Sequence, residues 1–344
     1  MKIQFLSFLM ICQLQFCQAS IERRCALDVG SGSLKLLIAD VDTNNEQITT
    51  FIYSDLVSFP FSESLANRAD CSFGKNLQTY AKKAIQRLLE RAAPYAPSKV
   101  VGIATEAFRK AKNGTQFAQS IYKELKIPIY VISQAEEAEI AFKSVVVLAK
   151  SDPDHTVVWD IGSGSFQIAW QDVDTIHCYS GQLGQVIVRN ILLEIQGKSR
   201  SNQPSPYPIS IQEAESLKQI LLEQLSEIPE HLQKKLAHPL TKVYGIGGTH
   251  HSNIALSTKK FVYTLEMVEA LTHMRSSLNQ DELDNSENDH WVSDLMLLSS
   301  IMTHLKIKEV IDIQFFNHSD VKITGNTVGI LTHAPYWSKN LIEN

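Results

Sequence analysis

The strongest constraint on this chain is a loop that occurs twice. Asp28-Val-Gly-Ser-Gly-Ser33 continues through Leu34-Lys35 and ends at Asp40-Val-Asp42; Asp160-Ile-Gly-Ser-Gly-Ser165 continues through Phe166-Gln167 and ends at Asp172-Val-Asp174. The two copies lie a domain's length apart, too far for a solenoid repeat, so they point to a duplication in which each half opens with a hairpin. In each copy an apolar, β-forming run precedes the Asp, the Gly-Ser-Gly makes a tight turn, and residues 34–39 and 166–170 return as second strands. Third strands are expected at 48–53 and 175–179. A helix follows at 74–91 with Leu77, Tyr80, Ala84 and Leu88 on one face, closed by Pro94 and Pro97. Then come a buried strand at 99–104, a helix at 115–125, a strand at 128–133 and a helix at 136–150. Asp152-Pro153-Asp154 reads as a turn and marks the boundary between a first domain, 20–150, and a second, 151–344. The second half repeats the scheme, with helices at 184–196, 211–225 and 292–305 and strands at 242–245 and 309–315. A proline-bearing loop at 197–208 and an acidic stretch at 279–289 interrupt it.

A length of 344 residues suits two α/β domains better than one core. A net charge of −5 provides no broad field to attract a nucleic-acid polymer, so any polyanion must be gripped locally. The first nineteen residues differ from the rest: Lys2 is their sole charge, an apolar run spans 3–12, and Cys17-Gln18-Ala19 precedes Ser20. They read as a signal peptide, 1–19, too short for a stable membrane span. The protein is then expected in the periplasm or secreted if the leader is cleaved, and in the cytoplasm otherwise. Cys25, Cys71 and Cys178 follow the leader without a Cys-x-x-Cys spacing, and are expected to be buried thiols, one disulfide being open to an exported chain.

The chemistry is expected at the loops. Gly30, Ser31, Gly32 and Ser33, and likewise Gly162, Ser163, Gly164 and Ser165, offer small residues, backbone amides and hydroxyls that wrap an anion. Asp28 and Asp160 end the strands beside these nests; alone they would repel phosphate, so they are expected to hold a divalent cation or a water. Two such hairpins facing across a cleft would clamp a phosphate chain. Alternation along a strand points Lys35 with Ser33 and Gln167 with Ser165. Lys35 would reach a phosphate, whereas Gln167 is neither acid nor base. Gly247, Gly248 and Thr249, within Gly245-Ile-Gly-Gly-Thr249, make a third place for backbone to meet phosphate. Arg109 lies just past a buried strand, and Glu136 and Glu137 open a helix.

Five ordered segments carry a family resemblance: Asp28-Val-Gly-Ser-Gly-Ser33, Ala104-Thr-Glu-Ala-Phe-Arg109 with Asn113, Val131-Ile-Ser133 with Glu136-Glu137-Ala138, Asp160-Ile-Gly-Ser-Gly-Ser165, and Gly245-Ile-Gly-Gly-Thr249. From about residue 24 to about residue 332 the chain resembles the exopolyphosphatase and guanosine-pentaphosphate phosphohydrolase family. That resemblance implies an α/β, actin-like ATPase (ribonuclease H-like) fold of two duplicated domains around a cleft. It implies Mg²⁺-dependent release of terminal orthophosphate from inorganic polyphosphate or a guanosine penta- or tetraphosphate. Glu137 aligns with the family's general base, Arg109 with a phosphate-contacting arginine, and Asp28 and Asp160 with the carboxylates that organise Mg²⁺ and water. A homodimer is left open. The chain departs from the family at Gln167, where a metal-binding Glu is usual, at Ser163 for Gly, at Gly32 for Asn, and at Asn326-Thr-Val-Gly329, which lacks an Arg. These departures leave a second expectation, a weak or inactive binder of phosphate chains or nucleotide.

Overall fold

The computed structural model describes residues 20–199, 205–278, 291–316, 321, 323 and 325–338; the leader 1–19 and the stretch 279–289 lie outside them. The first sheet contains β1 (Ile21–Val29), β2 (Ser33–Asp42), β3 (Gln47–Ser58), β4 (Lys99–Ala104) and β5 (Ile129–Val131), in the order β3-β2-β1-β4-β5. The second contains β6 (Thr156–Ile161), β7 (Phe166–Asp172), β8 (Thr175–Gly181), β9 (Lys242–Ile246), β10 (Val262–Thr264) and β11 (Glu309–Asp312), in the order β10-β11-β9-β6-β7-β8. Read from β8, the second order repeats the first. An antiparallel trio leads to a central strand, then parallel partners follow: β4 beside β1 and β5 beside β4, β9 beside β6 and β11 beside β9. This is the duplicated, mixed-sheet, actin-like architecture. β1 and β6 are central because their sequences suit burial on both faces: every residue from Arg24 to Val29 is buried.

In the first lobe, α1 (Phe61–Ala66), α2 (Lys75–Ala92), α3 (Glu106–Lys110) and α4 (Gly114–Leu125) cover one face of the sheet. Phe61, Phe73, Phe108 and Phe117 form a continuous ring cluster beneath α3, which fixes Glu106 and Arg109 at its ends. α2 buries Ala81, Ile85, Leu88 and Ala92. Of the face expected from the sequence, Leu88 alone is fully buried, and Tyr80 points to solvent. With Ala counted as apolar, the stripe is legible one residue either way; the larger side chains of Ile85 and Leu88 decide it.

α5 (Gln134–Ala149) lies between the sheets. Ala138, Ala141, Phe142 and Val145 pack with Val158, Ala169 and Tyr244 of the second sheet, while Ile140 packs with Ala26 and Ile103 of the first. The second lobe adds α6 (Gln185–Ile195), α7 (Ile211–Gln224), α8 (Glu230–Ala237), the helical segment Thr249–Ala255 running into α9 (Leu256–Thr258), α10 (Leu265–Ser276) and α11 (Trp291–Leu305). α11 is almost wholly buried, as its apolar sequence requires.

Two expectations are corrected. The chain's last described segment, with α12 (Thr327–Leu331) and α13 (Pro335–Ser338), packs on the first sheet rather than the second. The Arg24 guanidinium donates to the Leu331 carbonyl (2.8 Å) and stacks on the Trp337 ring, and the Gly329 amide donates to Ser144 Oγ (2.7 Å). A side chain at Gly329 would lie 2.1 Å from the Ile140 carbonyl, so only glycine permits this approach to α5. The three cysteines among the described residues are free: Cys25 is buried and Cys178 half-buried, but Cys71 is exposed. No helix among the described residues is long and apolar enough to cross a membrane.

Candidate phosphate-binding and active site

The two loops close alike: the Gly30 amide donates to the Ser33 carbonyl and the Gly162 amide to the Ser165 carbonyl, each at 2.9 Å. Their strands share register. Asp28 stands opposite Lys35 across β1 and β2, and Asp160 opposite Gln167 across β6 and β7. The loops meet at their tips, where a Cβ on Gly32 would lie 2.4 Å from Ser163 Oγ. The second loop is pinned from behind by α6. The amides of Gln185 and Val186 donate to the carbonyls of Gly162 (3.2 Å) and Ser163 (2.9 Å), and a Cβ on Gly184 would meet the Gly164 nitrogen at 2.4 Å.

Behind the loops lies a buried group of charges. Lys35 Nζ sits 3.2 Å from Asp28 Oδ2, and Asp28 Oδ1 is buried without a hydrogen-bond donor. Burial works to lower the Lys35 ammonium's pKa, but the fields of Asp28, Asp160 and Glu137 overcome it and hold the group above its ordinary value. Burial pushes the Asp160 carboxyl up to about 6, with Asp28 adding to the rise and Lys35 and a hydrogen bond from Asn326 opposing it. Glu137 is buried at the start of α5. Its neighbour Glu136 serves the capping box, where the Ser133 amide donates to Glu136 Oε2 (2.8 Å) and the Glu136 amide to Ser133 Oγ (3.2 Å). Glu137 therefore faces inward. Burial raises its carboxyl to about 8, against the lowering effect of Arg109 and with Asp160 and Asp28 adding to it. Arg109 Nη1 lies 2.8 Å from Glu137 Oε2 and donates to the Ile132 carbonyl (3.0 Å).

The structure thus brings Asp28, Lys35, Asp160, Glu137 and Arg109 to one cleft, bounded by Gly30–Ser33 and Gly162–Ser165. Gly247 joins them. It has a φ of +103°, and a Cβ there would lie 3.1 Å from Asp160 Oδ1. Gly248 follows it, and Thr249, the first residue of the helical segment, is wholly buried. Gln167 does not stand in for a carboxylate: its amide nitrogen donates to Ser165 Oγ (2.9 Å) and it is buried there. Sequence reasoning missed three participants. Asn326 reaches Asp160, and Gly325 (φ +62°) leaves room for Lys35, since a Cβ would lie 2.7 Å from its Nζ. Asn326 opens the segment noted for its missing Arg, and Gly325 immediately precedes it. Glu106 is the third; its signal was a charged residue within Ala104–Arg109. Among the described residues no cluster of three or more His, Cys, Asp or Glu side chains forms a metal cage. Asp28 and Asp160 are hard oxygen donors, and the unpartnered Asp28 Oδ1 suits a cation whose remaining ligands are water and phosphate oxygens, as Mg²⁺ prefers.

The sequence profile of the Ppx/GppA phosphatase family matches residues 61–315. The chain belongs to the Ppx/GppA phosphatase family. It is 29% identical over 279 residues to a bifunctional 3-dehydroquinate synthase/phosphatase of Fusobacterium nucleatum; the match takes in 76% of this chain and 38% of that protein, well under half of its length. The Ppx/GppA family member of Aquifex aeolicus superposes with a TM-score of 0.68 at 16% identity, over 93% of this chain and 100% of that one. An exopolyphosphatase from Cytophaga hutchinsonii does so with a TM-score of 0.66 at 17% identity, over 90% and 96% of the two chains. At such identities the solved structures share the fold, and membership of a phosphohydrolase family rests on the profile match.

Proposed function

We propose that this Ppx/GppA family protein hydrolyses the terminal phosphoanhydride of a condensed phosphate, inorganic polyphosphate or a guanosine penta- or tetraphosphate, and releases orthophosphate. The observation that carries this is Glu137, a buried carboxyl at the edge of the cleft, held near the pKa a general base needs. The amides of the two loops and their hydroxyls other than that of Ser31, which Glu106 holds, bind and orient the phosphate chain with Lys35. Glu137 takes a proton from the attacking water as its oxygen bonds to the terminal phosphorus. The bond from that phosphorus to the bridging oxygen breaks, and the shortened chain departs with the electron pair. Arg109 contacts the phosphoryl oxygens. It lies on Glu137 and lowers that carboxyl, so its transfer to a phosphate would make Glu137 a stronger base. Asp28 and Asp160 would hold Mg²⁺, which when bound supplies positive charge to the phosphoryl oxygens.

A specific observation favours a second reading, a weak or inactive phosphate-chain binder: Gln167 presents an amide bonded to Ser165 where a further carboxylate is usual. Orthophosphate release from polyphosphate and from guanosine pentaphosphate, with Mg²⁺ and with a chelator, separates the two. Metal-dependent release, faster in Gln167→Glu, is the expected result. Chain binding without release by either protein would leave the binder.

A further inference from the structure

Between the two loops lies a carboxylate that the proposed hydrolysis does not use. Glu106, at the start of α3, is buried at 5% exposure. Its Oε2 accepts from Ser31 Oγ (3.1 Å), on the first loop, and from Ser62 Oγ (3.2 Å); its Oε1 pairs with Lys110 Nζ (2.5 Å). Ser31 is itself fixed, accepting from the Ala107 amide at 3.0 Å. Across the cleft the same carboxylate rests on the second loop, where a Cβ on Gly164 would lie 2.2 Å from Glu106 Oε2. An anion thus bridges the loops that flank the cleft, held by two hydroxyls and an ammonium, the donors that also bind phosphate oxygens.

We propose that the Glu106 carboxylate is a built-in anion occupying a phosphate position between the two loops, and so limits how many phosphoryl groups of a condensed phosphate the cleft can hold. This rests on the two loops being the grip for a phosphate chain. Two anions cannot share these donors, because the one left without them would remain desolvated and unpaired. While Glu106 is in place, the chain stops short of Ser31, Ser62 and Lys110. Replacing Glu106 by a small hydroxyl residue frees all three for one further phosphoryl group. Glu106 is then a specificity-determining residue whose effect grows with chain length.

The test is calorimetric binding of pyrophosphate, tripolyphosphate and long-chain polyphosphate to the full chain and to Glu106→Ser, Glu106→Gln and Glu106→Ser/Lys110→Ala. Glu106→Ser is expected to bind long-chain polyphosphate about tenfold tighter, roughly one charge-assisted hydrogen bond's worth, with a smaller gain for pyrophosphate. Adding Lys110→Ala should remove most of that gain. If Glu106→Ser fails to melt cooperatively, Glu106→Gln carries the test: its neutral amide no longer pairs with Lys110, which is freed for the chain, so long chains should still tighten more than short ones. Equal affinities in wild type and variants, or a loss uniform across chain lengths, would make Glu106 a structural tie and overturn the proposal. If neither wild type nor any variant binds a condensed phosphate, the proposed substrate class falls as well, a result distinct from equal binding.

Discussion

Glu136 and Glu137 are neighbours whose roles are set by one turn of helix. Glu136 bonds back to the N-cap, and Glu137, one position on, turns into the cleft. Glu136→Ala is therefore expected to cost about 1 kcal/mol of stability through loss of the capping box while orthophosphate release persists, which chemical denaturation alongside a phosphate assay would check. Glu137 must be deprotonated to act as a base, and burial holds its carboxyl at about 8. The ratio kcat/KM should therefore rise with pH through a limb near that value. Arg109 lowers the Glu137 pKa, so Arg109→Ala should move the limb upward as well as weaken binding. A pH profile of Arg109→Ala with its limb unmoved would remove Arg109 as the partner of the free base.

The pair of hairpins is the element on which the site depends. Its duplicated loop, the strand before each loop and the strand after it were all legible, because alternation and turn chemistry are local. The same locality put Lys35 on the face of Ser33 and Gln167 on that of Ser165, and the register then sets Asp28 opposite Lys35 and Asp160 opposite Gln167. What was not legible depends on distant contacts. Glu106 gains its role from touching Gly164 in the other lobe, and Asn326 from reaching Asp160, contacts that no periodicity encodes. Gly184 belongs to the same class. Its φ is ordinary for any residue, yet an added Cβ would lie 2.4 Å from the Gly164 nitrogen and 2.5 Å from the Ser163 carbonyl carbon. These are backbone atoms that cannot rotate aside. Gly184→Ala should cost about 1–3 kcal/mol and displace the second loop, raising KM for a phosphate chain more than a neighbouring surface change does.

At the scale of the molecule, two related sheets are joined by α5 between them and by the C-terminal segment, which returns to the first. The second lobe has its own buried tie. Asp294 on α11 is fully buried and accepts from Gln185 Nε2 on α6 (2.7 Å) and from Asn253 Nδ2 beyond the third glycine loop (2.6 Å), so one carboxyl braces the elements behind two of the loops. Burial raises it from the ordinary 3.8 to about 8, against the lowering effect of those two bonds. The folded state thus holds a proton that the unfolded chain releases in weak acid. The resulting stabilisation is present below the unfolded pKa and is lost as pH rises to about 8. Asp294→Asn keeps an acceptor oxygen without the charge, so its melting temperature relative to wild type should climb from about pH 4 to about pH 9; a constant difference would show that Asp294 does not titrate on unfolding. Cleavage of a terminal phosphoanhydride in this cleft with Glu137 as base is put to the test by single-turnover orthophosphate release from polyphosphate with Mg²⁺, wild type beside Glu137→Gln. Release by wild type, slowed about a hundredfold or more in the variant with binding retained, is the predicted result; equal release by the two proteins, or none from either, contradicts it.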